Sequence, residues 1–301
     1  MSRPYAILDV FSDAPLAGNQ LAVVLDAGGL DDAQMQAIAA EFNLAETVFV
    51  LPAERPGHRA RLRIFSPASE LPFAGHPTVG TAVLLAIEDR GATPGVSDVM
   101  LLLEENVGPI RCVVAFDGER SGHAIFDAPE LARPLDVRLD RERAAAALGL
   151  AASEIGFENH EISAFTAGVP YCFVPVRNLA AIASVVPLPQ YWADAFPAKT
   201  SVYLYTRETE GLLRAFHGRM FWRAPAFVED PATGSAAAAF AGVVQKFDQP
   251  TSGSHRLTIE QGFEMGRPSL IDLEIDIAEG HLRAVRIGGD AVIIARGTLY
   301  V

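Results

Sequence analysis

The chain has 301 residues, 50% hydrophobic and 20% charged, which is enough to bury a substantial core and more than one small domain needs. Its formal net charge of -13 carries no long like-charge run, so the basic stripe that neutralises nucleic-acid phosphates is missing and nucleic acid is not an expected partner. The opening "MSRPYAILDVF" lacks an apolar core of signal-peptide length, and the longest apolar run, "AAAAFAGVV" at 236–244, is too short to span a bilayer, so a cytoplasmic protein without membrane contacts is expected.

In chain order, alternation predicts strands at 5–11, 21–27, 47–51 and 59–65. Between the second and third, Met35, Ile38, Ala39 and Phe42 fall at helical spacing, with Asp31 or Asp32 to cap the start and Asn43 to end it. Val79, Ala82, Val83 and Ala86 make a second helical stripe after "ELPFAGHPTVGTA", ending near "EDRG". Cys112 and Cys172 sit in strand-like apolar stretches and read as buried, inert thiols, with neither a disulfide framework nor a metal cage. The two prolines of "FDAPELARPLD" mark a linker between halves. Beyond it come helices in "DRERAAAALGL" and "DPATGSAAAAFAGVV" and strands at 171–176, 201–207, 212–221, 255–261 and 269–277, the last with Ile271, Leu273, Ile275 and Ile277 on one face.

"HPTVGTA" at 76–82 and "DPATGSA" at 230–236 share one pattern about half a chain apart, which suggests two similar domains. Proline is favoured at the first helical position, so Pro77 and Pro231 place His76 and Asp230 at N-caps. Two helix openings, with unpaired N–H groups and the positive dipole end, suit an anionic ligand such as a carboxylate if they face one cleft. Gly80 and Gly234 occupy matching positions where something is expected to approach the backbone. Asp before Pro is also an ordinary structural helix start, and Thr81 and Ser235 could simply bond back to their own helices, whereas histidine is a poor cap. Glu46 stands where a turn enters an apolar strand, either solvated or aimed at a cleft, and Glu70 and Glu229 flank the motifs as supporting or solvated groups. His58, His123, His160, His217, His255 and His281 lack ligand spacing, so no metal is expected. Nucleophile-elbow, phosphate-loop and dinucleotide fingerprints are absent from the sequence.

These stretches, with "GNQLAVVLD", "FNLAETVFV", "RAPAFVEDPATGSA", "QGFEMGRPSLIDLEI" and "VRIGGDAVIIARGTL" in order across nearly the whole chain, resemble the phenazine-biosynthesis PhzF-like isomerase family. The resemblance implies an α+β fold of the diaminopimelate-epimerase type: two similar domains, each a curled, mostly antiparallel sheet around a central helix, with the active site in the cleft between them. The expected bounds are 1–125, completed by a strand at 288–301, and 126–287. It implies a homodimer without metal or organic cofactor, acting on a small carboxylate such as trans-2,3-dihydro-3-hydroxyanthranilate by proton transfer. Glu46 maps to the general acid/base, and His76, Asp230 and Ser235 to the other catalytic positions, with Asn19, Gly75, Thr233 and Gly234 expected to bind substrate. A carboxylate in Glu46's role works best with a raised pKa, which partial burial against "TVFVL" could provide. Related epimerases carry a cysteine at each helix start, whereas Gly75 or His76 and Asp230 stand there, which disfavours two-cysteine racemisation. Gln20 in place of proline and Ala45 in place of serine depart from the family pattern and bear on the substrate. The alternatives are epimerisation or tautomerisation of another amino or hydroxy acid, and a metabolite-binding protein without catalysis.

Overall fold

The computed structural model describes residues 2–90, 98–223 and 226–301. Gly91, at the expected end of the second helix, and Ala224 and Pro225 of the "RAPAF" stretch lie outside them. The chain forms two compact units, Met1–Pro129 with Ile287–Val301, and Glu130–Arg286.

The first unit runs β1 (Ser2–Val10), β2 (Asn19–Val24), α1 (Asp32–Phe42), β3 (Glu46–Leu51), β4 (Ala60–Phe65), β5 (Glu70–Leu71), α2 (Gly75–Asp89), β6 (Asp98–Glu105), β7 (Gly108–Phe116) and β8 (Ser121–Asp127). Helix α1 forms as its punctuation predicts. Asp31 caps it in a reciprocal pair with Gln34, and Asn43 closes it in the left-handed conformation at φ 50°. Its buried face, Met35, Ile38 and Ala39, packs outside the sheet on Val24, Phe49 and Phe65. The strands pair β1–β2, β3–β4, β6–β7 and β7–β8 antiparallel, and β2–β3 and β4–β6 parallel. The final strand pairs with both β8 and β1 and closes the ring. Inside that barrel runs α2, every residue of which from Gly75 to Ala86 is buried.

The second unit adds β9 (Arg133–Pro134), α3 (Arg141–Leu148), β10 (Ser163–Thr166), β11 (Pro170–Pro175), α4 (Leu179–Ala183), α5 (Pro189–Ala195), β12 (Ser201–Thr206), β13 (Phe216–Arg223), β14 (Phe227–Asp230), α6 (Gly234–Val243), β15 (Gly253–Gln261), β16 (Ser269–Ala278) and β17 (His281–Tyr300), whose far end belongs to the first unit. Its pairing repeats the first unit's sequence of steps: β10–β11 antiparallel, β11–β12 parallel, β12–β13 antiparallel, β13–β15 parallel, β15–β16 antiparallel. Helix α6 follows β14 as α2 follows β5, and it is buried throughout except at Ser235. On the outer face, α3, α4 and α5 cover the sheet with Ala144, Leu148, Ile182 and Trp192.

Most expected strands and helices form within a few residues of their predicted bounds. The strand expected from 212 begins only at Phe216, because Leu212 and Leu213 form a fully exposed turn, Leu213 at φ 62°. The helix starts also differ from expectation. Helix α2 opens at Gly75 with Ala74 as N-cap, so His76 is its second residue, and α6 opens at Gly234 with Thr233 as N-cap, so Asp230 ends a strand. The two glycines are therefore not equivalent: Gly80 lies mid-helix, whereas Gly234 is the first residue of its helix.

Gly80 shows why the barrel tolerates no larger residue at that position. A Cβ there would stand 2.6 Å from Val10 Cγ2 and 2.7 Å from Leu21 Cδ2. Replacing Gly80 with Ala should lower unfolding free energy by about 1–3 kcal/mol in urea titrations, overpacking outweighing the gain in helix propensity.

Candidate active site

In the first unit three of the expected residues meet at the open end of α2. Asn19 begins β2, and Glu46 begins β3 in parallel register beside Leu21, so both project from strand starts near the helix's first turn. His76 Nε2 lies 3.2 Å from Glu46 Oε2, and Asn19 Nδ2 lies 3.3 Å from His76 Nδ1. Burial pushes the imidazole down to about 3 against an opposing backbone hydrogen bond with Gln20, so the ring is neutral at physiological pH. The approach of Glu46 is thus a carboxyl group meeting a neutral ring. A neutral ring carries one N–H, so Asn19, the Gln20 backbone and Glu46 surround His76 with more partners than it has protons to give, and the tautomer decides which of them it serves. The Glu46 side chain keeps 19% of its surface, enough for a ligand to touch it. Gly75 and His76 bring N–H groups without intrahelical acceptors, because no helical carbonyl lies four residues before them; Pro77 has no N–H, and the Thr78 N–H is the first to bond back, to Ala74.

The second unit assembles the other expected set. The Thr233 hydroxyl donates to Asp230 Oδ2 at 2.6 Å. Fully buried Gln261 accepts from the Thr233 N–H at 3.2 Å, and its amide nitrogen donates to the Asp230 carbonyl at 2.8 Å. Ser235 Oγ and Tyr171 Oη stand 2.7 Å apart at the first turn of α6. This network fixes the loop that carries Asp230 although Asp230 caps no helix. Gly262 makes it possible: at φ 79° it brings the chain so close that a Cβ would meet the Pro231 carbonyl oxygen at 2.5 Å. Tyr171 and Gln261 were not among the residues expected from sequence. The only sequence signal for Gln261 was its place before that glycine in "QGFEMG".

The flanking glutamates are engaged elsewhere, in matching ways. Arg63 on β4 grips Glu70 on β5 through two hydrogen bonds of 2.8 and 2.7 Å, and Arg219 on β13 grips Glu229 on β14 through two of 2.7 and 2.9 Å. The repeat thus extends to a buttressing ion pair beside each motif. A cavity of about 910 Å³ in the second unit, lined by Leu135, Phe165, Gln245 and Lys246 among others, contains none of the candidate residues. Among the described residues, no group of three or more His, Cys, Asp or Glu side chains could hold a metal ion, and no helix is long and apolar enough to cross a membrane. The thiols are buried, Cys172 pushed up to about 12 and Cys112 higher still, so neither supplies a thiolate base.

The family model described as phenazine biosynthesis-like protein, PhzC-PhzF, matches residues 8–297. The chain belongs to this family. An uncharacterized isomerase of Mesorhizobium japonicum is 51% identical over 306 residues, covering 100% of this chain and 99% of that protein. The trans-2,3-dihydro-3-hydroxyanthranilate isomerase of Pseudomonas fluorescens is 35% identical over 297 residues, covering 98% of each. The crystal structure of a Bacillus anthracis phenazine biosynthesis protein of the PhzF family superposes with a TM-score of 0.88 at 25% identity, covering 100% of each chain. PhzF-family membership makes the chain an isomerase with the epimerase-like α+β fold.

Within this PhzF-family site, Gln261 is the testable support. Gln261→Leu leaves the buried Thr233 N–H without its acceptor, and should cost about 1–3 kcal/mol in chemical denaturation.

Proposed function

We propose that this isomerase moves a proton within a small carboxylate, with Glu46 as the general acid/base. The observation that carries the reading is the partly open Glu46 carboxyl group set 3.2 Å from a buried, neutral imidazole beside a helix opening. A carboxylate can take a proton from a carbon acidified by a neighbouring acid group or double bond and return it to another carbon, the negative charge passing through the conjugated system between them. A neutral His76 stands beside Glu46 without adding charge and orients the polar groups around it. Asp230 positions substrate polar groups in the same way. Ser235, Thr233 and the amides of Gly234 and Ser235 bind the substrate's acid group, which the positive end of α6 favours. Asn19 and Gly75 complete the polar contacts on the first unit.

The substrate class follows from that division of labour: an unsaturated or α-acidic carboxylate. The compound named for the Pseudomonas relatives, trans-2,3-dihydro-3-hydroxyanthranilate, is the first candidate. The reaction is proposed to proceed in the cytoplasm and, as the family resemblance implies, in a homodimer without metal or organic cofactor.

Glu46→Gln should retain the fold and lose about 10²–10⁴-fold in turnover, followed as deuterium uptake from heavy water into a panel of small carboxylates. Turnover at wild-type level in that variant removes Glu46 from the chemistry. Ser235→Ala should instead raise KM about tenfold with kcat nearly retained, the loss of roughly one hydrogen bond to the bound acid group. An unchanged KM would move the acid group elsewhere.

A further inference from the structure

Thr78 stands two residues after His76, and its hydroxyl lies 2.8 Å from two oxygens, the Ala74 carbonyl and Glu105 Oε1. A hydroxyl has one proton to give. A carbonyl only accepts, so if Thr78 donates to Ala74, the contact with Glu105 is a hydrogen bond only when the carboxyl group brings the second proton. Glu105 is 3% exposed at the end of β6, and its Oε2 is buried with no hydrogen-bond partner among the described residues. An anion there would keep an unpaired charged oxygen away from water, whereas the neutral acid leaves only a carbonyl oxygen unpaired.

We propose that Glu105, as a neutral carboxylic acid, is a positioning residue for the first turn of α2, through the chain Glu105 O–H to Thr78 O–H to Ala74 C=O. Helix α2 has no side-chain cap, and this chain anchors the turn that presents the Gly75 and His76 N–H groups and the imidazole. Burial supports the protonated form, raising the acid to about 8 against the Thr78 hydrogen bond and the charge of Arg61 on β4. The other titratable groups facing this region leave that balance in place. Cys112 on β7 is a neutral thiol, raised by burial and by Glu105 and Asp127, and His76 on α2 is neutral. The adjacent Glu104 is occupied by His58 and the amides of Glu54 and Arg55. On ionisation the chain reverses: Thr78 turns its proton to the carboxylate and releases Ala74.

The protonation state is testable without activity. In a Glu46→Gln background, the infrared band of a protonated glutamate carboxyl should persist at pH 7, titrate away near pH 8, and vanish on adding Glu105→Gln. Thr78→Val should shift that band, which keeps the test decisive even if Glu105→Gln does not fold. An acid whose folded pKa exceeds its unfolded value erodes stability as pH rises between the two, here from about 4.5 to about 8. Wild-type Tm should therefore fall relative to Glu105→Gln across that window and run parallel above it, since the glutamine amide donates to Thr78 at every pH. Absence of the band at pH 7, or a Tm difference that is flat with pH, overturns the protonated acid. The positioning role rests on the proposed acid/base reading, and its own readout is an alkaline fall in kcat/KM near pH 8 that Glu105→Gln removes. A persistent band with an unchanged alkaline limb overturns the positioning role and leaves the proposed reaction standing.

Discussion

A helix without a wet face governs the rest of this structure. Over Gly75–Ala86 of α2, and along α6 except at Ser235, the usual division into apolar and solvated sides is missing, because each is enclosed by strands, and a polar atom there can find a partner only inside the protein. Mid-helix, the sequences meet this by being almost wholly apolar. At the openings they cannot, since backbone N–H groups are orphaned there whatever the side chains. Polar residues therefore gather at those turns: Asn19 and Glu46 with His76, Glu105 with Thr78, Gln261 with Thr233, Tyr171 with Ser235. The same requirement that satisfies a buried helix start also gathers carboxyl, imidazole, amide and hydroxyl groups at each opening.

What sequence made legible follows from how local each signal is. The caps of α1 and the alternation of β16 are decided within a few residues, and both form as predicted. The helix openings differ from the expectation that proline takes the first position. Pro77 is in fact the third residue of α2, where an N–H would also have lacked an intrahelical acceptor, so the rule constrains the turn without fixing the residue. In the second copy, Pro231 belongs to the loop packed on Gly262, a contact no local pattern encodes. The short helices α4 and α5 were too brief to show a period. Glu105, Tyr171 and Gln261 were invisible for a related reason: each matters through a partner 27 to 64 positions away. The family resemblance, and not periodicity, singles out Glu46 as the general acid/base, and the structure sets it beside His76.

The repeat also separates the acids that brace the fold from the candidate site carboxylates. Glu70 and Glu229 are each held by an arginine fork, and the Arg63 pairing lowers Glu70 below its ordinary range. Those ion pairs brace the short β4–β5 and β13–β14 hairpins that lead into the two central helices. Glu46 and Asp230 stand apart from that bracing, one against a neutral ring and the other against a hydroxyl. In the second copy the braced acid and the candidate site acid are neighbours, Glu229 and Asp230, whereas in the first Glu70 and Glu46 stand on different strands.

Strand β17 has a consequence for how the molecule comes into being. Residues 291–300 supply the stave beside β1, yet they are made only after the whole of the second unit. A nascent chain emerging from the ribosome must hold the first unit as an unclosed cylinder, its β1 and β8 margins bare, through more than 150 residues of further synthesis. Such unpaired margins invite association with other chains. The polypeptide therefore completes its first half last, and the interval between is when it is most exposed to misassembly.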